Sequence, residues 1–119
     1  MNNRRQLIQH NGKTLIIHNY NGLSGQEYVD AIEYNGREGK SLNAGERLIL
    51  IDVTNSIVDK EVIKAFKRVS HNASTHLSKT AVVGVTGIQK MFIKTVSSFS
   101  NLNVQAFGTQ EEAIQWLTS

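Results

Sequence analysis

The chain has neither cysteine nor proline among its 119 residues. Without thiols there is no disulfide, no thiolate metal site and no thiol nucleophile, and such a chain is at ease in a reducing compartment, so a cytoplasmic location is expected. The missing prolines carry no functional reading. Long apolar runs are lacking too: nothing approaches the length of a membrane span, and Met1-Asn2-Asn3-Arg4-Arg5-Gln6 leads into a polar hairpin, not into the apolar stretch of an export signal. What remains is ordinary for a globular protein, with 39% apolar and 19% charged residues. With no break in composition, residues 1–119 are expected to form a single domain.

The net charge of +3 is spread unevenly. Residues 1–58 carry six basic and six acidic groups, residues 59–94 seven and two, and residues 95–119 none and two. The middle third is therefore the cationic part, suited to an acidic protein or a phosphate. It lacks the arginine density and interleaved aromatics of a nucleic-acid surface, which argues against nucleic acid as a partner.

Apolar periodicity predicts the elements. Leu7-Ile8 and Leu15-Ile16-Ile17 flank Asn11-Gly12, a strong hairpin signal, and read as two antiparallel strands. Ser24 with Glu27 spells a capping box for a first helix, which Gly36 and Gly39 are expected to end. Leu48-Ile49-Leu50-Ile51 is a continuous apolar run, as in a strand covered on both faces. Asp59 is the expected cap of a second helix whose inner face holds Val62, Phe66, Val69 and Ala73. Ala81 to Val85 repeats the buried-strand pattern, and a third helix is expected to turn Ile88, Phe92, Val96 and Phe99 inward. Val104 to Phe107 gives the fifth strand, and Thr109 with Glu112 caps a last helix ending in Trp116-Leu117. The order ββαβαβαβα implies an α/β fold, a mostly parallel mixed five-stranded sheet covered by helices.

This order and three segments, Leu50-Ile51-Asp52-Val53-Thr54-Asn55, Ala81 to Gly87 and Phe107 to Leu117, resemble the STAS domains. That family holds anti-sigma-factor antagonists and the cytoplasmic domains of sulfate transporters. The likeness spans roughly residues 7–117 and is nearest to a stand-alone bacterial branch related also to CRAL-TRIO lipid-binding domains. The resemblance implies a STAS-like fold and regulation by contact with another protein. In the phospho-regulated members an Asp-Ser-Ser-Gly segment at a helix start offers a serine to the partner kinase. Here the matching place reads Asp59-Lys60-Glu61-Val62, so the acceptor hydroxyl is missing and Lys60 puts a positive charge where phosphate would add a negative one. Thr54 and Ser56 are the nearby substitute hydroxyls, although loop hydroxyls commonly bond only local backbone.

Ligands in open α/β sheets settle outside the carboxyl ends of the strands. Three loops are expected there, Asn19 to Ser24, Thr54 to Lys60 and Thr86 to Gln89. Candidate partner- or anion-binding residues are Thr54, Asn55, Ser56, Asp59, Lys60, Lys64, Lys67, Thr86, Gly87 and Lys90, because helix starts offer free N–H groups and the lysines add charge. Routine capping by Asp59 and a tight turn at Gly87 are the plainer reading of two of them. Lys60, Lys64, Lys67 and His71 form one outward stripe, suited to an acidic partner or simply to solvent. His10 and His18 are expected to face each other across the hairpin, while His71 and His76, five apart, do not make a metal site.

Gly84-Val85-Thr86-Gly87 has neither P-loop nor dinucleotide spacing, and Ser24 in Gly22-Leu23-Ser24-Gly25 is not a nucleophile elbow. Asp52 ends a buried strand and is expected to bond nearby amides, not to act as a general base. Met91 and Ile93 beside Phe92 suggest a patch for a homodimer or partner, against scattered surface apolars. No catalytic residue, cofactor or metal is expected. The leading expectation is a non-enzymatic, STAS-like regulatory or protein-binding module. A carrier of a small apolar ligand, lipid or nucleotide comes second, and a hydrolase or transferase built on Asp52 third.

Overall fold

The computed structural model describes residues 4–40, 47–73, 78–85 and 103–119. Strand β1 (Arg5–His10) turns at Asn11-Gly12 into β2 (Lys13–Asn19). Both turn residues take positive φ, 52° and 77°, which a two-residue hairpin matched to the twist of its strands requires. Pairing runs from Arg5 opposite His18 to His10 opposite Lys13. His10 and His18 therefore lie at opposite ends of the hairpin and do not meet, contrary to expectation. Burial and the neighbouring Arg5 guanidinium push the His18 imidazole down to about 4, so it is neutral at pH 7.

The chain continues through α1 (Gly25–Lys40), β3 (Arg47–Asp52), α2 (Lys60–Ala73), β4 (Ser78–Val83), β5 (Asn103–Phe107) and α3 (Gln110–Leu117). The helix expected around Ile88 to Phe99, with Met91 and Ile93, lies outside the described residues. The strands form one five-stranded mixed sheet in the order β1-β2-β3-β4-β5. β1 is antiparallel to β2 and all other neighbours are parallel, as predicted. Two successive right-handed crossovers stepping the same way place their helices on the same face, and α1 and α2 do pack together. α3 packs on β3, β4 and β5.

Each face has its own core. Tyr20, Leu23, Tyr28, Ile32, Val53, Val62, Phe66 and Val82 pack between the sheet and the α1–α2 pair. Leu15, Leu48, Leu50, Ala81, Val83, Ala113 and Leu117 pack beneath α3. On β3, Leu48 and Leu50 point to the second layer and Ile51 to the first, which is why its run is apolar on both sides. Trp116, at the end of α3, is only half-buried, its ring centroid 5.4 Å from that of Phe107. In the first layer Phe66 stands edge-on to Tyr20 and Tyr28, with ring centroids 5.6 and 6.0 Å away. The Tyr20 hydroxyl accepts a hydrogen bond of 2.9 Å from Asn35 Nδ2, and both side chains are buried.

The caps follow the sequence with one exception. Asp59 Oδ1 accepts the Val62 N–H at 3.0 Å, and Thr109 Oγ1 accepts the Glu112 N–H at 3.2 Å. The box expected between Ser24 and Glu27 does not form; α1 starts at Gly25 with φ 61°. Gly36 and Gly39 do not end α1 either, which runs on to Lys40. The physical reason at Gly36 is close packing of helices. A Cβ there would lie 2.8 Å from Val69 Cγ2 and 3.1 Å from Cγ1, so the absent side chain is what lets α1 approach α2.

Alanine normally favours a helix interior over glycine by about 1 kcal/mol. At Gly36 the clash outweighs that gain, and Gly36→Ala is expected to destabilise the fold by about 1–3 kcal/mol. In Gly36→Ala with Val69→Ala, the cost should be less than the sum of the two single changes. Urea denaturation of the four proteins measures this coupling. Strict additivity would mean that a side chain at position 36 does not crowd Val69.

Candidate functional site

Parallel strands deliver their carboxyl ends to one edge, where the chain must turn without losing backbone hydrogen bonds. The segments leaving β2 and β3 are laced together there. Tyr20 N–H donates to Asp52 O at 2.8 Å, Gly22 N–H to Thr54 O at 3.1 Å, and Ile57 N–H to Leu23 O at 2.9 Å. Val53 N–H reaches Val83 O at 2.9 Å and ties the exit of β3 to β4. The two loops expected to meet, Asn19 to Ser24 and Thr54 to Lys60, do so; Thr86 to Gln89 lies outside the described residues.

Asp52 anchors the start of this platform. Its Oδ1 accepts the Thr54 N–H at 2.9 Å and the Thr54 hydroxyl at 2.6 Å, and its Oδ2 accepts Gln110 Nε2 at 3.2 Å. The carboxylate thus makes the local bonds expected of it and also ties the loop to the start of α3. Ser56 is the second anchor. Its N–H and its hydroxyl both donate to Val53 O, at 3.0 and 2.8 Å. With that proton committed, the Tyr28 hydroxyl 3.0 Å away donates to Ser56 Oγ. Burial pushes Tyr28 up to about 12, which keeps that donor in place at neutral pH. Between the anchors Asn55 takes φ 58°, a conformation asparagine tolerates, and is exposed.

Five of the candidate residues, Thr54, Asn55, Ser56, Asp59 and Lys60, are brought together on this loop. Lys60 and Lys64 are exposed along α2, and Lys64 Nζ lies 3.6 Å from Glu61 Oε1. Lys67 is half-buried. Thr86, Gly87 and Lys90 are outside the described residues, and so is the side chain of His71. At the start of α2 the Asp59 carboxylate already takes the place that an anion would occupy, so this helix end is closed by its own cap. Among the described residues no group of three or more acidic, histidine or cysteine side chains is placed to hold a metal. No helix among them is long and apolar enough to cross a membrane.

The sequence reading missed Ile57. It is 63% exposed, between the inward-bonded Ser56 and Val58, which packs against the core. The signal was the apolar pair Ile57-Val58 just ahead of a helix cap, where only one of two adjacent side chains can turn inward.

This fold, with a loop built at the β3 exit and a helix capped straight after it, defines a STAS-like domain. The SpoIIAA-like family matches residues 21–118, and the chain belongs to that family. Among solved structures, it is similar to an uncharacterised protein with a SpoIIAA-like fold from Shewanella loihica, at 13% identity and a TM-score of 0.73. That likeness covers 95% of this chain and 91% of the other. No curated protein matches.

The Asp52 bonds predict a graded response. Asp52→Ala removes the acceptor for the Thr54 amide and hydroxyl together and is expected to cost about 2–3 kcal/mol. Asp52→Asn keeps an oxygen for both and should cost about 1 kcal/mol. Thermal unfolding of the two variants checks the order. Equal losses would show that the negative charge, not the Oδ1 acceptor, holds the loop.

Proposed function

We propose that this chain is a non-enzymatic STAS-like module that binds another protein through the Thr54–Lys60 loop and the exposed stripe of α2, acting as one domain in the cytoplasm. One observation carries the reading. Ile57, a large apolar side chain, is 63% exposed on a loop whose Thr54, Ser56 and Ile57 amides are bonded, with Lys60 and Lys64 exposed on the helix that follows. A rigid apolar anchor costs little entropy on binding, and a cationic rim steers an acidic partner, so an apolar pocket edged by carboxylates is the surface it fits.

The family's phosphate switch is not part of this reading. Thr54 and Ser56 have their hydroxyls turned to Asp52 and Val53 O, and Lys60 stands at the helix start. Catalysis finds little support, because the Asp52 carboxylate is already bonded on both oxygens. A carrier would need room in the first core layer, where Tyr20, Tyr28, Ile32 and Phe66 are almost fully buried against one another.

The test uses a partner captured from the native lysate and then purified, with binding to each variant measured at two salt concentrations. Ile57→Ser is expected to weaken binding by roughly tenfold or more at both. Lys60→Glu with Lys64→Glu should slow association and flatten the salt dependence. Folding stability should change by less than about 0.5 kcal/mol in either protein. Unchanged affinity in both variants would make this surface an ordinary solvated face.

A further inference from the structure

The β1 edge of the sheet holds a pattern that the proposed function does not use. The hydrogen bond from Asn19 N–H to Arg4 O, at 2.7 Å, marks Arg4 and Asn19 as a hydrogen-bonded pair. In an antiparallel ladder such pairs alternate with pairs whose backbone groups point away. In this register Gln6, Ile8 and His10 therefore bond β2, while Arg5, Leu7 and Gln9 direct their N–H and C=O groups away from it. Among the described residues β1 has no other strand neighbour. The edge is six residues long, and it contains no proline and no lysine, the usual devices against edge pairing. Leu7 sits at its centre and is 54% exposed.

The geometry points to a second copy of this chain as the occupant: β1 pairs antiparallel with β1 across a two-fold axis at Leu7, joining two five-stranded sheets into one. The outward residues are what select this partner. Arg5, Leu7 and Gln9 are symmetric about Leu7, so a two-fold there sets Leu7 against Leu7 and Arg5 against Gln9 on both sides. Every outward N–H and C=O then meets its complement, giving six hydrogen bonds by the antiparallel rule. A two-fold centred at Ile8 would leave the Arg5 groups unmatched.

The side chains agree with the backbone. Paired residues share a face, so the two exposed leucines cover each other next to Ile16, the buried cross-strand neighbour of Leu7. No like charges stand directly opposite, because each arginine faces a glutamine. Six residues a side bury less than a standard stable interface, so the dimer is weak and concentration-dependent.

Two substitutions separate dimerisation from folding. Leu7→Pro removes an N–H that points away from β2, a place where an edge strand tolerates proline, whereas Ile8→Pro removes one that bonds β2. Leu7→Lys instead places two positive charges opposite each other at the axis. Sedimentation velocity over a hundredfold range of protein concentration, with amide exchange at Leu7 and Gln9, reads the outcome. The wild type should shift from monomer to dimer as the Leu7 and Gln9 amides become protected. Leu7→Lys and Leu7→Pro should remain monomers with wild-type thermal unfolding, while Ile8→Pro should melt early. If Leu7→Pro fails to fold, Leu7→Lys alone decides. A wild type that is monomeric throughout, or a dimer that survives Leu7→Lys, would overturn the inference.

Discussion

Where β3 and β4 leave the sheet, their backbones come into contact, and the platform at the strand ends depends on that approach. Gly84 takes φ 88°, and a Cβ on it would lie 2.7 Å from both the backbone N and the Cα of Thr54. No larger residue fits without moving one chain. The approach allows Val53 to bond Val83 and brings Thr54 over the Asp52 carboxylate. From there the Ser56 turn and the bond to Leu23 follow with little freedom left. A loop that leaves a parallel strand would ordinarily be mobile; this one is closed on three sides by the exits of β2 and β4 and the start of α3.

That constraint also bears on how the module departs from its phospho-regulated relatives. Phosphate works as a switch by adding charge to an exposed hydroxyl at a helix start. In this chain the two hydroxyls of the loop are spent on holding it, and the helix start is closed by Asp59 and followed by a lysine. The same bonds that occupy these hydroxyls hold the loop on which Ile57 is exposed. Under the proposed function, a preformed contact surface takes the place of a switched one.

Much of the architecture was legible because local signals agreed with the global order. Asn11-Gly12, the doubly apolar β3 and the caps at Asp59 and Thr109 each depend on neighbours within a few residues. The failures were long-range. Gly36 reads as a stop in one dimension, and only the proximity of Val69 turns it into a helix contact. His10 and His18 looked like partners until the two-residue turn set a register that sends them to opposite ends. Thr54, Ser56 and Asp59 could be nominated from their place after β3. The Tyr28 bond to Ser56 and the Gln110 bond to Asp52 could not be, since they join residues 28 and 58 positions apart. Ile57 was overlooked for a related reason: exposure is a property of what fails to cover a side chain.

The central claim is that the β3–α2 loop is formed before any partner arrives. Amide hydrogen exchange of the free protein tests it most directly. The Thr54, Ser56 and Ile57 amides, held by Asp52, Val53 and Leu23, should exchange on the order of a hundredfold or more slowly than the same residues in an unstructured peptide. Exchange at peptide rates in all three would show a loop that orders only on binding, and would contradict the account.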